Sequence, residues 1–419
     1  MKIVSISKNR TTMFEAKQGD TTYVLERNVS INTADPAGIV GMTDVKGRDF
    51  LIKGDISASQ GFGIFIGTQD ETGAGVLEVA KSASISGKVG VRLAADGQVL
   101  RNSGLIGGET AVETSGTRML IENSGIINGG NIGIDVSFEG GKIVNTGQIA
   151  GQDHAIYSLL GAGEELKIVN KGDIGATENT TIMLSNLTGS STTLVNHGNI
   201  DGKFWALQAN FSLATEIIRN RGEISSQVWL GGGDDIFDDR GGTTYYVDGG
   251  EQDDLYIIDD ALIVLGEQTN AGTDTVRSTV TWTLGNNFEN LIFTGENSLT
   301  GKGNDSANRM TGNAGQNTLY GYGGIDVING GRGNDLLYGG TLADTFVFTT
   351  RSGHDIIADF QNGTDVIDLT RYRELDDFTD ISKTMVQNGA NVEIHLGKND
   401  VLTVNNVTIA NLTGEDFAY

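Results

Sequence analysis

The chain has 419 residues, enough for two or three ordinary domains or one long stacked one, and it holds 61 glycines against a single proline, Pro36. Glycine at about twice its average usage, without matching proline, favours many tight turns over disorder. The 54 acidic residues exceed the 29 basic ones and give a formal charge of −25, which excludes nucleic acid or anionic membrane as the main partner, because phosphate recognition needs the opposite sign.

Cysteine is absent, so disulfides and thiolate metal sites are excluded. The opening residues, MKIVSISKNRTTMFEAKQGD, lack the unbroken apolar core of a secretory signal, and no stretch approaches the roughly 18 apolar residues of a membrane helix. By themselves these features point to the cytoplasm, an expectation that the C-terminal half reverses. Residues 1–29 read as an N-terminal cap.

Residues 30–229 carry the pattern N-x-G-x-I. It occurs at Asn102, Asn123, Asn145, Asn170, Asn196 and Asn220, with spacings of 21, 22, 25, 26 and 24 residues, and degenerate copies precede it at Ile56 and Ile85. Downstream of the copies from Ile85 to Asn196 a small-plus-aliphatic pair recurs: Gly90-Val91, Ala111-Val112, Gly133-Ile134, Ala155-Ile156, Thr181-Ile182 and Ala206-Leu207. Each unit of 21–29 residues thus holds about three short apolar clusters with alternation and no helical period, which predicts one coil of a β-solenoid. No coil can bury its inward residues alone, so neighbours stack, and the asparagines align in a ladder that satisfies its own amides. The segment resembles the β-helical passenger regions of bacterial adhesins and autotransporters, a resemblance of architecture without a catalytic motif.

Residues 230–299 read as degenerate turns and spacer strands. They contain Asp235 in GGGDDIF and Asp254 in GGEQDDLYI, which are 19 apart with Tyr245 between them. From residue 300 to 352 a nine-residue period governs, G-G-x-G-x-D-x-U-x with U apolar. Its sixth positions are Asn308, Asn317, Asp326, Asp335 and Asp344, and its eighth are Met310, Leu319, Ile328, Leu337 and Phe346. Two units make a coil, so residues eighteen apart stack: Asp326 with Asp344, and Asn317 with Asp335. The eighth side chains point into a thin core. Carboxylates and glycine-freed carbonyls, with Gly324, Gly330, Gly331 and Gly333 in the turns, supply the six to eight oxygens calcium prefers. Magnesium wants a rigid octahedron, and transition metals lack soft ligands here.

These units resemble the repeats-in-toxin (RTX) calcium-binding β-roll. The stretch from Gly272 to Gly315 is similar to the spacer preceding such blocks in secreted bacterial proteins. Residues 353–419 resemble the roll cap of serralysin-like proteins followed by an uncleaved C-terminal type I secretion signal, VTIANLTGEDFAY. In the cap, Asp355, Asp359, Asp365 and Asp368 either add calcium ligands or form a solvated acidic loop. Asn308, Asn317, Leu342 and Gln252 depart from the repeat, which implies fewer full sites than repeats, with Asp326–Asp344 the best and Asn317–Asp335 weaker. The resemblance implies an extracellular or cell-surface protein, exported by type I machinery and folded by calcium outside the cell.

The four histidines, His154, His197, His354 and His395, form no HExxH, and GxSxG is absent, which removes the zinc protease and the commonest esterase signatures. Mannuronan epimerases also join a β-helix to RTX modules, but their Asp-Pro-His cluster has only a faint echo at Asp35. Asp153, His154 and Tyr157 in GQDHAIYS suggest an acid–base cluster, yet His154 aligns with Val89, Thr110, Ile132, Thr180 and Trp205 of other coils, a variable structural column. Lys203, Phe204 and Trp205 form a basic-aromatic spot suited to sugar. The sequence therefore predicts an all-β chain, a right-handed parallel β-solenoid stacked into a C-terminal calcium β-roll. The leading functional expectation is a non-enzymatic adhesin or a protein binding matrix or cell-surface polysaccharide. A uronan epimerase or lyase on the β-helix, and a self-assembling surface-layer component, are the alternatives.

Overall fold

The computed structural model describes residues 2–16, 21–41, 48–67, 75–209 and 212–419. Parts of the expected N-terminal cap and solenoid, residues 17–20, 42–47, 68–74 and 210–211, lie outside the described residues. The chain divides into two compact units, Met1–Gly250 and Glu251–Tyr419. Among the described residues the regular structure is β apart from one helix, Phe378–Lys383, and one short helical turn, Gly414–Asp416.

In the first unit one parallel sheet is laid down strand by strand: Lys2–Ile6, Thr21–Leu25, Arg48–Ile52, Val76–Val79, Val99–Asn102, Met119–Asn123, Gly141–Asn145, Glu165–Asn170, Ser191–Asn196, Thr215–Asn220 and Ile236–Asp238. The coils begin earlier than the asparagine pattern announces, since Lys2–Ile6 already pairs with Thr21–Leu25. These first coils pair without the asparagine, which marks only later ones. The rest of each coil forms further parallel strands, such as Ser84–Leu93, Leu105–Thr114 and Ile126–Phe138.

The repeat positions become columns. Leu100, Ile121, Ile143, Ile168, Leu194 and Ile218 follow one another in register and are buried. Val91, Val112, Ile134, Ile156, Ile182 and Leu207 form a second buried column, as the small-plus-aliphatic pairs predicted. Each such side chain contributes about 1.5–3 kcal/mol by leaving water.

The asparagine ladder is continuous. Nδ2 of Asn102, Asn123, Asn145, Asn170 and Asn196 each donates to Oδ1 of the next asparagine at 2.8–2.9 Å. Asn220 ends it by donating to Asp239 Oδ1 at 2.7 Å. The glycine of N-x-G is required by close stacking: a Cβ on Gly147, Gly172, Gly198 or Gly222 would lie 2.1 Å from the carbonyl oxygen of the equivalent glycine one coil back.

In the second unit one parallel sheet runs through Leu255–Ile258, Thr275–Ser278, Asn290–Phe293, Arg309–Thr311, Val327–Asn329, Thr345–Val347, Val366–Asp368 and Phe417–Ala418. The other comprises Trp282–Thr283, Thr300–Lys302, Thr318–Gly323, Leu336–Thr341, His354–Ile357 and Val401–Val404, extended by antiparallel Asn391–His395 and Met385–Asn388. Met310 pairs with Ile328 and Ile328 with Phe346, while Leu319 pairs with Leu337. All five are fully buried, so two nine-residue units make one coil, as the period predicted. The expected interval 230–299 divides between the two units.

Candidate metal centre

Each aspartate-bearing nonapeptide turn has a fixed backbone. Its second residue, Tyr322, Gly331 or Gly340, has φ of 77, 91 or 104°, and its fourth, Gly324, Gly333 or Leu342, has 108, 122 or 80°. Leu342 and Gln252, which depart from glycine in the repeat, both keep φ at 80°; the stacked neighbours impose the turn. The first glycine serves a different need. A Cβ on Gly321, Gly330 or Gly339 would lie 2.2–2.4 Å from Oδ2 of Asp326, Asp335 or Asp344, because the aspartate folds back over it.

The two oxygens of these aspartates have different fates. Oδ1 of Asp326 accepts the Asn308 N–H at 2.7 Å, that of Asp335 accepts Asn317 N–H at 2.7 Å, and that of Asp344 accepts Asp326 N–H at 2.9 Å. Oδ2 of all three is buried and has no hydrogen-bond partner among the described residues. Such an oxygen is costly unless a cation meets it. Burial, reinforced by the next carboxylate in the column, pushes Asp326 up to about 7, Asp335 to about 8 and Asp344 to about 6, against backbone hydrogen bonds that act downward. The paired carboxylates stack as the eighteen-residue spacing predicted.

The asparagine turns differ. Asn308 Oδ1 accepts Asn304 N–H and Asn317 Oδ1 accepts Asn313 N–H, each at 2.8 Å. Asn308 Nδ2 donates to the Phe288 carbonyl at 3.0 Å and Asn317 Nδ2 to Asn313 Oδ1 at 3.1 Å. The amide closes these turns from within. Asp359 accepts Gly339 N–H at 3.0 Å and Gly340 N–H at 3.1 Å, while Asp365 accepts Asp344 N–H at 3.0 Å and Gln361 N–H at 2.8 Å. Both use their two oxygens to cap turns. Asp235 lies in the first unit, where its Oδ1 accepts Glu216 N–H at 2.7 Å; Asp254 lies in the second, where its N–H donates to Asp274 Oδ1 at 2.8 Å. Asp355 joins the Asn317–Asp335 column, its Oδ1 accepting Asp335 N–H at 3.0 Å. Asp274 was not among the expected ligands, although Gly272-Thr273-Asp274 repeats the Gly-x-Asp of the nonapeptide and could have signalled it.

The donor set is all oxygen, and the glycine cradle leaves no room for a side chain beside it. Both fit a hard, large cation, with Asp326, Asp335 and Asp344 as the carboxylates able to hold it. The second unit is thus of the calcium β-roll class. Residues 301–337 and 311–346 match the RTX calcium-binding nonapeptide repeat (4 copies), so this segment is an RTX block and its ion is calcium. The chain is also 38% identical over 170 residues to the endo-1,3-1,4-beta-glycanase EglC of Rhizobium meliloti (strain 1021), a match covering 41% of this chain and 34% of the relative. The chain therefore spans about a third of the length of the curated relative it matches.

His154 is a structural residue in its coil. It pairs in register with Ile132, is buried, and its Nδ1 donates to the Thr180 carbonyl at 2.7 Å.

Proposed function

We propose that the chain is a secreted calcium-binding protein whose first unit binds an extended polysaccharide, while its nonapeptide turns at Asp326, Asp335 and Asp344 take up calcium after export. The polysaccharide reading rests on one outward stripe. Strand register lines up Phe65, Arg92, Glu113, Asp135, Tyr157, Met183, Gln208 and Trp229 on successive coils. With adjacent strands about 4.8 Å apart, the stripe runs for about 34 Å, which suits a polymer rather than a small molecule. Three aromatic rings, Phe65, Tyr157 and Trp229, are interspersed along it with the hydrogen-bonding groups of Arg92, Glu113, Asp135 and Gln208, a combination suited to the apolar faces and hydroxyls of a sugar chain.

Arg92 lies 5.4 Å over the Phe62 ring and 3.4 Å from Glu113. At the far end Trp205 and Trp229 lie 5.9 Å apart, and Lys203 sits 5.4 Å over the exposed Phe204 ring. The glycanase name of the partial relative supports a polysaccharide ligand. Binding of the calcium-loaded chain to glucans and polyuronates, followed by tryptophan fluorescence, tests this. Trp229→Ala should weaken binding by tenfold or more. Failure of the wild-type chain to bind any of these polymers, or equal binding by Trp229→Ala, would sink it.

A second reading, a polysaccharide-cleaving enzyme, draws on the Glu113 and Asp135 pair within the stripe. Burial raises both carboxyls above their ordinary values, and Glu113 is raised further by Asp135 and lowered by Arg92. Glycoside hydrolysis uses two carboxyls, at least one of them raised so that it holds a proton as the acid, and Glu113 and Asp135 on neighbouring strands are both raised. New reducing or unsaturated ends that disappear in Glu113→Gln would favour this reading over binding alone.

A further inference from the structure

The first coil of the second unit gathers three carboxylates outside the nonapeptide block. Asp254 precedes strand Leu255–Ile258, Glu267 follows strand Val264–Gly266, and Asp274 precedes strand Thr275–Ser278. One carboxylate oxygen from each lies within 4.8 Å of the other two. Oxygens bound to one calcium at 2.3–2.6 Å are separated by at most about 5 Å, so the three fit around a single ion.

Proximity of acids alone would mean little; Asp274 supplies the independent sign. It is 1% exposed. Its Oδ1 accepts the Asp254 N–H at 2.8 Å, whereas its Oδ2 is buried with no hydrogen-bond partner among the described residues. Asp326, Asp335 and Asp344 divide their oxygens in the same way, one for the backbone of the preceding coil and one without a protein donor. In the asparagine turns and at Asp365 the protein supplies donors to the corresponding oxygens. Asp274 therefore carries the signature of the ion-binding turns while standing outside the repeat.

The surroundings hold the carboxylates in place. Glu289 Oε2 accepts the Asp274 N–H at 2.8 Å, fixing its backbone. Tyr256, fully buried, donates to a Glu267 carboxylate oxygen and lies 3.1 Å from the Gly266 carbonyl, which orients Glu267. Oxygen ligands alone favour a hard cation over zinc or copper. Carboxylates from two separate loops, Asp254 on one and Glu267 with Asp274 on the other, are better matched to calcium's flexible coordination than to magnesium's rigid octahedron.

We propose that Asp254, Glu267 and Asp274 bind one calcium ion at the first coil of the Glu251–Tyr419 unit, separate from the ions of the nonapeptide turns. The ion joins loops 20 residues apart in sequence and closes the first coil of the unit.

Calcium bound per chain, counted by elemental analysis after equilibrium dialysis at fixed free calcium and by titration calorimetry, tests this on the full-length chain. Asp274→Asn keeps the side-chain volume and the acceptor for the Asp254 N–H, and Glu267→Gln changes a half-buried position. Each should bind one calcium fewer than wild type, and Asp335→Asn, in the nonapeptide block, should add its own loss to theirs. Wild-type stoichiometry and affinity in both single variants would overturn the site and leave the cluster as a proton-sharing network. Should Asp274→Asn fail to fold by circular dichroism, Glu267→Gln decides alone. A wild-type chain that bound no calcium would overturn the nonapeptide reading too, so the two failures are distinguishable.

Discussion

At Asp335 a single side chain performs two tasks. One oxygen holds the backbone of the coil before it, and the other is left for a cation. The same division at Asp326 and Asp344 makes the pair a direct target. Replacing both by alanine should raise the calcium needed for β-structure formation at least tenfold, read by circular dichroism during calcium titration of the full chain; an unchanged midpoint would exclude these carboxylates as ligands. The asparagine ladder rests on hydrogen bonds without an ion. Asn170→Ala removes the acceptor of Asn145 and the donor to Asn196, leaving buried amide groups unmade at about 1–3 kcal/mol each. Urea unfolding of the first unit should show a loss of about 3 kcal/mol.

At the scale of the turn, backbone conformation is set by the stack more than by the residue occupying it. Leu342 adopts φ of 80° where the repeat expects glycine, and a non-glycine residue there carries about 1 kcal/mol of strain. Leu342→Gly should therefore stabilise the calcium-loaded unit by up to about 1 kcal/mol in thermal unfolding, the greater chain entropy of glycine offsetting part of the relief. Gly333→Ala acts in the opposite direction, because its Cβ would lie 2.2 Å from the Gly315 carbonyl oxygen at a φ of 122°. The motif departures at 308 and 317 have another meaning: asparagine brings its own donor, and in these turns the protein itself satisfies the side-chain amide.

For the molecule as a whole, charge couples folding to ions and pH. In calcium-free buffer Asp326, Asp335 and Asp344, raised from an ordinary 3.8 to about 6–8, contribute their full stability only below about pH 4. That contribution is lost as pH rises through 6 to 8, since the folded state then buries charge that the unfolded chain leaves in water. The calcium-free second unit should melt at a higher temperature at pH 4.5 than at pH 8. With saturating calcium the order should reverse, because protons compete with the ion for the same oxygens. Melting curves at both pH values, with and without calcium, check the sign. The formal charge of −25 adds general repulsion that bound calcium relieves.

Much of this organisation could be read along the chain. The N-x-G-x-I spacing announced the ladder and the inward columns, and the nine-residue beat announced calcium and the stacking of Asp326 with Asp344. Both are properties of a period, and coils of nearly equal length place equivalent residues in register without any distant partner. Where the period lapses, only the tertiary structure decided. Coils of unequal length bring Asp254, Glu267 and Asp274 together, align Phe65 through Trp229 in one outward stripe, and begin the stack at Lys2 before any asparagine marks it. The division between aspartates that keep an oxygen without a protein donor and those, like Asp365, that give both to the backbone was likewise settled in three dimensions. It depends on which N–H groups a turn presents once its neighbours have fixed its shape, and residue identity alone does not carry that.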